Sequence, residues 1–394
     1  MAESLILVVN PGSASRKYGL FADGVKKANV HFEFADGKVI GAVEYNGDKQ
    51  FVKYDDADLT NVSRYVLPLL HQYNVIEPAD NLSAIGVRVV APSDNFAQDQ
   101  LLTDEVLAEL TSVQQKAPLH ITTVLVEIQH LKNSFAGIPL IAVSDSSFHN
   151  TKPIWASYYA IDTEMADKFG IKRYGYHGLS MGSVVHRLQE SNQLMPKMII
   201  CHIGSGSSVT AVMDGKSVET TMGYSPLEGL MMSTRSGSID VAAALAIKRE
   251  LGLEDNELEQ YLNKKSGLLG VSGSSDDIRQ LLSSEEQGDK RAELALKIFV
   301  YKIQQAIGQM AASMGGVDGL VFTATIGERS FIIRERILSQ LGYLGIENDV
   351  DINTAIFEPK EIANIAKSTS KPVLVVGTDE SAEIARRAGE FLNK

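Results

Sequence analysis

LILVVNPGSASRKYGLFADGV, residues 5–25, reads as strand, Gly/Ser turn, strand and Asp-Gly turn, and MIICHIGSGSSVTAVMDGKSV, residues 198–218, reads the same way. The two Asp-Gly pairs, Asp23-Gly24 and Asp214-Gly215, stand 191 residues apart, close to half of the 394-residue chain. Each half also holds a later strand that runs into a polar turn, IAVSDSSFH at 141–149 and VFTATIGERS at 321–330. On the pattern alone two readings stand: a duplicated domain with a cleft between the copies, and chance similarity between two glycine-rich hairpins.

Outward from these segments, apolar runs alternate with stretches of helical period, which argues for an α/β class. The spacing predicts strands at 5–10, 16–21, 84–90, 140–144, 198–203, 209–213, 319–323 and 373–376. Thr103 is expected to cap a helix with Asp104 and Glu105 in its first turn, Val106, Leu107, Leu110 and Val113 on one face, and Pro118 at its end. A second helix is expected at 239–251, behind Ser238 and stopped by Gly252, and the longest at 291–314, closed by Gly315 and Gly316.

The length suits two or three domains with a sizeable core. The 37 basic residues against 49 acidic ones leave a net charge of −12, which disfavours nucleic acid and anionic membranes as partners. Cys201 is the sole cysteine, so an intramolecular disulfide and a cysteine zinc site are both excluded, and a reducing compartment fits. The start MAESLILVV puts an acid where a secretory signal carries a base, and no run approaches the ~18 apolar residues of a membrane span. A cytoplasmic location is expected.

A tight Gly/Ser hairpin points backbone N–H groups and hydroxyls into one concavity, so NPGSAS and GSGSS suit a polyphosphate, with Lys17 as a point charge beside it; each is equally readable as an ordinary turn. Neither a P-loop nor a G-x-G-x-x-G opening a helix is present. Arg88 sits in the apolar strand GVRVV, where an arginine is paired internally, aimed at an anionic ligand, or at a solvent edge. His120 and His202, as lone histidines, read more readily as structural, whereas His177 between Gly175 and Gly178 is the better chemical candidate. In TTMGYSPLEGLMMSTRSGSID, at 220–240, Met231 and Met232 read as core, while Arg235 falls in a polar loop ahead of a helix N-terminus that favours an anion.

Taken in order, NPGSASRK, GVRVV, APLH, SDSSFH, RYGYHG, CHIGSGSS, MGYSPLEGLMMSTRSGSID, KKSGLLGVSG, TIGERSFIIRE and GTDESAEIAR make the chain resemble the acetokinase family from end to end. The resemblance implies duplicated ribonuclease H-like domains of the actin-like ATPase α/β fold with an interdomain cleft. Residues 1–148 plus 380–394 would form the N-terminal lobe, and 149–379 a C-terminal lobe with nucleotide-binding and dimerisation elements. It also implies Mg²⁺-dependent, reversible phosphoryl transfer between ATP and acetate or another short-chain carboxylate, giving ADP and acetyl phosphate, in a homodimer.

By that resemblance Asn10 and Glu380 help hold Mg²⁺, and Lys17 lies beside the nucleotide phosphates. Arg88 and Arg235 match the arginines at the carboxylate and the transferring phosphoryl group, Asp145 the catalytic carboxylate, His177 the transition-state histidine, and His120 a histidine near the acyl group. Three nucleotide segments correspond to His202, Ile203, Gly204, Ser205 and Gly206; to Asp277, Ile278 and Arg279; and to Thr325, Ile326, Gly327, Glu328 and Arg329. Val90, Leu119, Tyr176 and Pro226 correspond to the pocket around the acyl methyl. Attacking carboxylate and phosphate are both anionic, so Arg88, Arg235, His177 and Mg²⁺ are expected to offset their repulsion. The attacking carboxylate is already deprotonated at pH 7, so Asp145 is expected to orient rather than to remove a proton.

The chain departs from the family in four places. H-R-V-V-H-G-G is here Val87-Arg88-Val89-Val90-Ala91-Pro92-Ser93, and G-N-G is Gly204-Ser205-Gly206. T-G-G-I-G-E-N is Thr323-Ala324-Thr325-Ile326-Gly327-Glu328-Arg329, and S-S-S-x-K is Ser13-Ala14-Ser15-Arg16-Lys17. Thr325 is expected to exclude a positive φ and, with Ala324, to fill nucleoside space, while Arg329 adds a charge suited to a ribose-linked phosphate or to pyrophosphate. ATP stays the expected donor and pyrophosphate the alternative. A non-catalytic ligand-binding scaffold is a third reading, opposed by the joint presence of Asn10, Arg88, Asp145, His177, Arg235 and Glu380. The dimer is expected through the C-terminal half, because the family associates there and 291–314 is more apolar than one helix face requires.

Overall fold

The computed structural model describes residues 4–393 except 13–14, 36–37, 55–57 and 78–81, with the side chains of 35 and 118–120 also outside the description. The side chains of Leu119 and His120, and the whole of Ser13 and Ala14, therefore lie outside the described residues. The chain divides into two units: one runs to Ser147 and resumes at Asp379, and the other is Phe148–Thr378.

In the N-terminal unit the strands are β1 (Leu5–Pro11), β2 (Ser15–Ala22), β3 (Val25–Ala35), β4 (Lys38–Tyr45), β5 (Asp48–Tyr54), β6 (Ala84–Val89), β7 (Gln100–Leu101) and β8 (Leu140–Ser144). They lie in the order β5-β4-β3-β2-β1-β6-β8-β7. In the other unit β9 (Lys197–Ile203), β10 (Ser207–Met213), β11 (Lys216–Thr220), β12 (Gly319–Thr323), β13 (Ala363–Asn364) and β14 (Val373–Val375) lie in the order β11-β10-β9-β12-β14-β13. Strand for strand, β3-β2-β1-β6-β8-β7 matches β11-β10-β9-β12-β14-β13. In both, the first three are antiparallel, the next two run parallel to the central strand, and a two-residue strand closes the edge antiparallel. Duplication, not chance likeness, is the reading the topology supports.

The two Asp-Gly turns are alike in detail. Asp23 and Gly24 have φ of 46° and 80°, and Asp214 and Gly215 have 47° and 78°, the double left-handed conformation that a two-residue hairpin needs. The Asn46-Gly47 turn between β4 and β5, with φ of 50° and 85°, repeats the device in the extra hairpin of the N-terminal unit. β3, β4 and β5 were not among the expected strands, because VKKANVHFEFA and DKQFVKY carry charges on a half-solvated sheet instead of a solid apolar run.

Thr103 does cap a helix, Asp104–Ser112, by accepting from Val106 N–H, but that helix ends well before Pro118. Pro118 instead opens the next helix, Pro118–Ser134, at a first-turn position where a missing N–H leaves no bond unmade. The helix expected at 239–251 starts two residues later, Val241–Leu251, because Asp240 takes the cap through Ala242 and Ala243 N–H. Asp289 caps the long helix Lys290–Met314.

One face of each sheet is covered by a helix, and the one on the first sheet comes from the far end of the chain. Gly178–Glu190 follows β8 in sequence yet buries Met181, Val184 and Leu188 against Met198, Ile200 and Val321 of the second sheet. Glu380–Leu392 follows β14 yet packs on β1, β6 and β8. Most apolar residues of the long helix, Ala292, Ala295, Leu296, Phe299, Ile303, Ile307 and Met310 among them, are buried in its own unit, while Leu294 and Tyr301 stay exposed on it. Exposed apolar side chains also lie on Val241–Leu251, which buries none of its residues, and at Ile154, Trp155 and Phe169. Among the described residues no helix is long and apolar enough to cross a membrane.

Candidate active-site clusters

In the N-terminal unit, parallel pairing of β1, β6 and β8 brings Asn10, Arg88 and Asp145 to the carboxyl end of one sheet. Asp379 caps the C-terminal helix through Ala382 N–H, so Glu380 is its first residue and arrives at the same place. Arg88 reaches Asp145 Oδ2 at 3.1 Å, Glu380 Oε2 at 3.3 Å and Asn10 Oδ1 at 3.4 Å, and Asn10 Nδ2 donates to Glu380 Oε2 at 3.4 Å. The Asp145 side chain is 1% exposed and those of Arg88 and Glu380 are 22% and 21%. Burial alone would weaken the guanidinium charge, but the Asp145 and Glu380 carboxylates outweigh it and hold the pKa of Arg88 above the ordinary arginine range. Arg88 is thus internally paired and not a solvent-edge residue, and its Nε is buried with no hydrogen-bond partner.

The first Gly/Ser turn is anchored by a residue the sequence reading passed over. Arg16 is buried, donates to the Gly12 and Ser15 carbonyls, and pairs through Nε at 3.2 Å with Glu127, which is fully buried on Pro118–Ser134 and also accepts from Tyr18 OH at 2.6 Å. Burial raises the Glu127 carboxyl above the usual range, with Tyr18 and Arg16 opposing. Lys17 is exposed on the opposite face of β2, level with Asn10 on one side and His31 on the other. Burial, then the charge of Lys17, push the His31 imidazole pKa down. Val90 is buried one residue beyond β6.

In the C-terminal unit His177 takes the left-handed conformation, φ 62°, at the start of Gly178–Glu190. Its Nδ1 meets Ser208 Oγ at 3.0 Å, and its ring stacks on His202 at 4.0 Å between centroids. His202 Nδ1 in turn meets Ser180 Oγ at 2.8 Å. A Cβ at Gly206 would stand 3.1 Å from His177 Nε2 and 3.5 Å from an Arg235 nitrogen, so this glycine is what lets the second turn lie against both groups. Arg235 also donates to the Pro226 carbonyl at 3.5 Å, and Tyr176 is buried with its hydroxyl on the Tyr224 carbonyl at 2.6 Å.

The three expected nucleotide segments converge in this unit. Ser233 N–H donates to the Ser205 carbonyl at 3.2 Å and Ser233 Oγ to the Asp276 carbonyl at 3.3 Å, joining the Ile203–Gly206 region to Asp277, Ile278 and Arg279. A Cβ at Gly204 would lie 3.6 Å from Ala324, which joins the third segment. Asp277 caps its helix and pairs with exposed Arg279 at 2.6 Å, and that hydrogen bond holds its carboxyl below the usual range. The left-handed position falls at Ala324, φ 66°, whereas Thr325, which was expected to exclude that conformation, lies in the short helix Ala324–Arg329 with its side chain exposed. Ile326 is half-buried and Gly327 buried, Glu328 accepts from Thr378 N–H at 3.2 Å, and Arg329 pairs with Glu358 at 2.6 Å.

Three supporting groups escaped the sequence reading. His149, within the quoted SDSSFH, is buried and holds the Tyr176 carbonyl with Nε2 at 2.9 Å, so that ring nitrogen carries the proton. Arg173 pairs with Glu219 at 3.2 Å and Glu228 at 3.4 Å beneath the 223–228 loop, where Tyr159 donates to Glu228. Beside them Lys152 is buried, donates to the Arg173 carbonyl at 2.8 Å, and is pushed down to about 8 by burial. Arg334, fully buried, donates to the Gly327 and Glu328 carbonyls at 2.9 and 3.0 Å. Of these, only Arg334 carried a local signal, as a charge among the apolar residues of FIIRERIL.

The family model that matches the chain is the acetokinase family, over residues 5–386. An acetate kinase of Bacteroides thetaiotaomicron is 38% identical, covering 99% of this chain and 100% of the relative, and one of Halothermothrix orenii is 40% identical, covering 97% and 98%. The crystal structure of Porphyromonas gingivalis acetate kinase matches with a TM-score of 0.88 and 33% identity, covering 99% of this chain and all of that one. A propionate kinase from Francisella tularensis matches at 0.89 and 32%, covering 98% of each. With the duplicated topology and the two polar clusters, these likenesses place the chain, and its actin-like α/β fold, in the acetokinase family of kinases that phosphorylate a carboxyl group.

Proposed function

We propose that the chain catalyses reversible, Mg²⁺-dependent transfer of the γ-phosphoryl group of ATP to acetate or another short-chain carboxylate, giving acetyl phosphate and ADP. The observation that carries this reading is Arg88, a mostly buried cation held between Asp145 and Glu380 with its Nε unpartnered, at the carboxyl end of three parallel strands. Arg88 neutralises the attacking carboxylate and Asp145 orients Arg88, since the acceptor has no proton to give up at pH 7. Arg235 and His177 stabilise charge on the transferring group, and the Gly204–Gly206 turn leaves room for phosphates. Val90, Leu119, Tyr176 and Pro226 border the acyl group, with His120 near it. Lys17 assists the phosphates, and 277–279 and 325–329 hold the nucleoside.

Two carboxylates and a carboxamide oxygen are the hard donors a small divalent cation takes alongside phosphate oxygens, so the N-terminal cluster fits Mg²⁺. Asn10 and Glu380 would hold it, and when bound it withdraws charge from the phosphoryl oxygens. The lobes of this reading are 1–148 plus 380–394 and 149–379. The pyrophosphate alternative is weakened by the Arg329–Glu358 pair, which already occupies the added cation.

A hydroxamate assay with acetate, propionate and butyrate, each against ATP, GTP and pyrophosphate, tests the reading; acyl hydroxamate from acetate and ATP is expected, and its absence at saturating Mg²⁺ refutes it. We further propose a homodimer through the C-terminal unit, with the exposed apolar helix Val241–Leu251 and Trp155 as the supporting surface. A dimer mass at micromolar concentration, shifted toward monomer by Val241→Asp with Leu245→Asp, is expected in light scattering.

A further inference from the structure

Behind the Asp145 turn lies a largely buried pair, Arg387 and Asp99. Arg387 stands seven residues after Glu380 on the C-terminal helix, two turns on and so on the same face. Its Nε donates to Asp99 Oδ2 at 2.9 Å, and one of its terminal nitrogens reaches Asp99 Oδ1, the Ser144 carbonyl at 3.1 Å and Ser147 Oγ. Asp99 Oδ1 also accepts from Ser144 N–H at 2.9 Å, and Ser147 Oγ donates to the Ser144 carbonyl at 3.0 Å. Both ends of the segment Ser144–Ser147 are therefore tied to one guanidinium, while Asp145 in the middle donates its N–H to the Val89 carbonyl and accepts from Arg88 at Oδ2. A planar fork can serve a carboxylate, a carbonyl and a hydroxyl together; an ammonium on a flexible stem cannot hold the same three in register.

We propose that Arg387 is a positioning residue for phosphoryl transfer, fixing Asp145 against Arg88 through Asp99 and the 144–147 turn. The inference rests on the carboxylate-kinase reading above. A plain helix-docking pair would have the same bonds, but its loss would lower stability and leave the turnover of the folded enzyme unchanged.

Arg387→Met keeps the aliphatic length and removes the fork; Arg387→Lys keeps the charge alone; Asp99→Asn keeps an acceptor for Ser144 N–H. In Arg387→Met kcat is expected to fall by roughly 10- to 100-fold, the scale of a catalytic group displaced by about 1 Å, with KM for acetate and ATP within about threefold of wild type. Arg387→Lys should recover only a small part of that loss. Independently of substrate, amide hydrogen exchange at 145–147 should accelerate in all three variants while β6 stays protected. Wild-type exchange at 145–147, or wild-type kcat in folded Arg387→Lys and Asp99→Asn, overturns the inference. Should Arg387→Met fail to fold, the other two variants carry both measurements. The exchange arm stands even if the wild type forms no acyl hydroxamate, a result that would instead refute the proposed reaction.

Discussion

The two units share a six-strand plan yet end their parallel strands in opposite chemistry. β1, β6 and β8 lead to Asn10, Arg88 and Asp145, a dense set of charges that neutralise one another in part. β9, β12 and β14 lead to Gly204, Ala324 and Gly377, small residues backed by stacked histidines and hydroxyls. One backbone scheme therefore carries paired charged side chains at its strand ends in one copy and small residues in the other. The supports differ as well. Buried Arg16 and Glu127 brace the first unit's turn, and the Lys152, Arg173, Glu219 and Glu228 network braces the second unit's 223–228 loop.

The largest effects should come from removing one charge from each cluster. Arg88→Ala and Arg235→Ala are each expected to leave a folded protein and to cut turnover by ~100-fold or more, the scale of losing one preorganised charge at a phosphoryl-transfer site. Asp145→Asn should do the same, through the loss of its hold on Arg88. Steady-state kinetics on folded variants checks this. If the Arg235 variant keeps near-wild-type turnover while the Arg88 variant does not, the division of labour between the units is wrong, and the first cluster does the chemistry alone.

How far the sequence could be read follows the same contrast. The hairpins at 5–25 and 198–218 were legible because their apolar runs and Asp-Gly turns are local signals, and the structure returns them with matching φ values. Asn10, Arg88, Asp145 and Glu380 could be named singly, but their meeting depends on parallel pairing and on a helix that returns from the far end of the chain. No local pattern encodes that. The braces were illegible for a related reason. Arg16 and Glu127 are 111 positions apart, and Arg16 beside Lys17 after a polar turn reads as an ordinary surface charge, so only Glu127 in its apolar helix hints at a buried partner. Thr325 misled because a motif with two adjacent glycines does not say which of the two positions takes the left-handed conformation.

Buried ionisable groups of opposite sign let the two braces be separated by pH. Glu127 has its folded pKa raised, so its contribution is fully present below the unfolded value and is lost as pH rises through the folded one. Lys152 has its folded pKa lowered to about 8 against about 10.4 unfolded, so the unfolded chain binds the extra proton between those values and stability rises with pH there. Relative to Lys152→Met, the wild type should gain up to about 3 kcal/mol between pH 7 and pH 10; relative to Glu127→Gln it should lose stability from pH 4 upward. Urea unfolding midpoints across that range provide the check. A flat difference for Lys152→Met would mean that its ammonium stays charged in the folded protein, stabilised by Glu219 and Glu228 more than burial opposes it.

The smallest effect concerns the third nucleotide segment. Ala324 holds φ 66° one residue after β12, a conformation that costs an alanine about 1–2 kcal/mol and a glycine almost nothing. Its Cβ is also what a Cβ at Gly204 would approach, at 3.6 Å, so the methyl both strains the chain and narrows the space beside the second turn. Ala324→Gly is therefore expected to stabilise by about 1 kcal/mol, less whatever the freer unfolded chain takes back, and to lower the KM for ATP. Thr325 is helical and exposed, so Thr325→Gly should instead destabilise by roughly 1 kcal/mol through helix propensity, with its effect on the ATP KM confined to space. Measuring both single variants separates conformation from volume. Equal KM values for ATP in wild type and Ala324→Gly would show that the methyl lies clear of the nucleoside, leaving the left-handed alanine as a cost in stability alone.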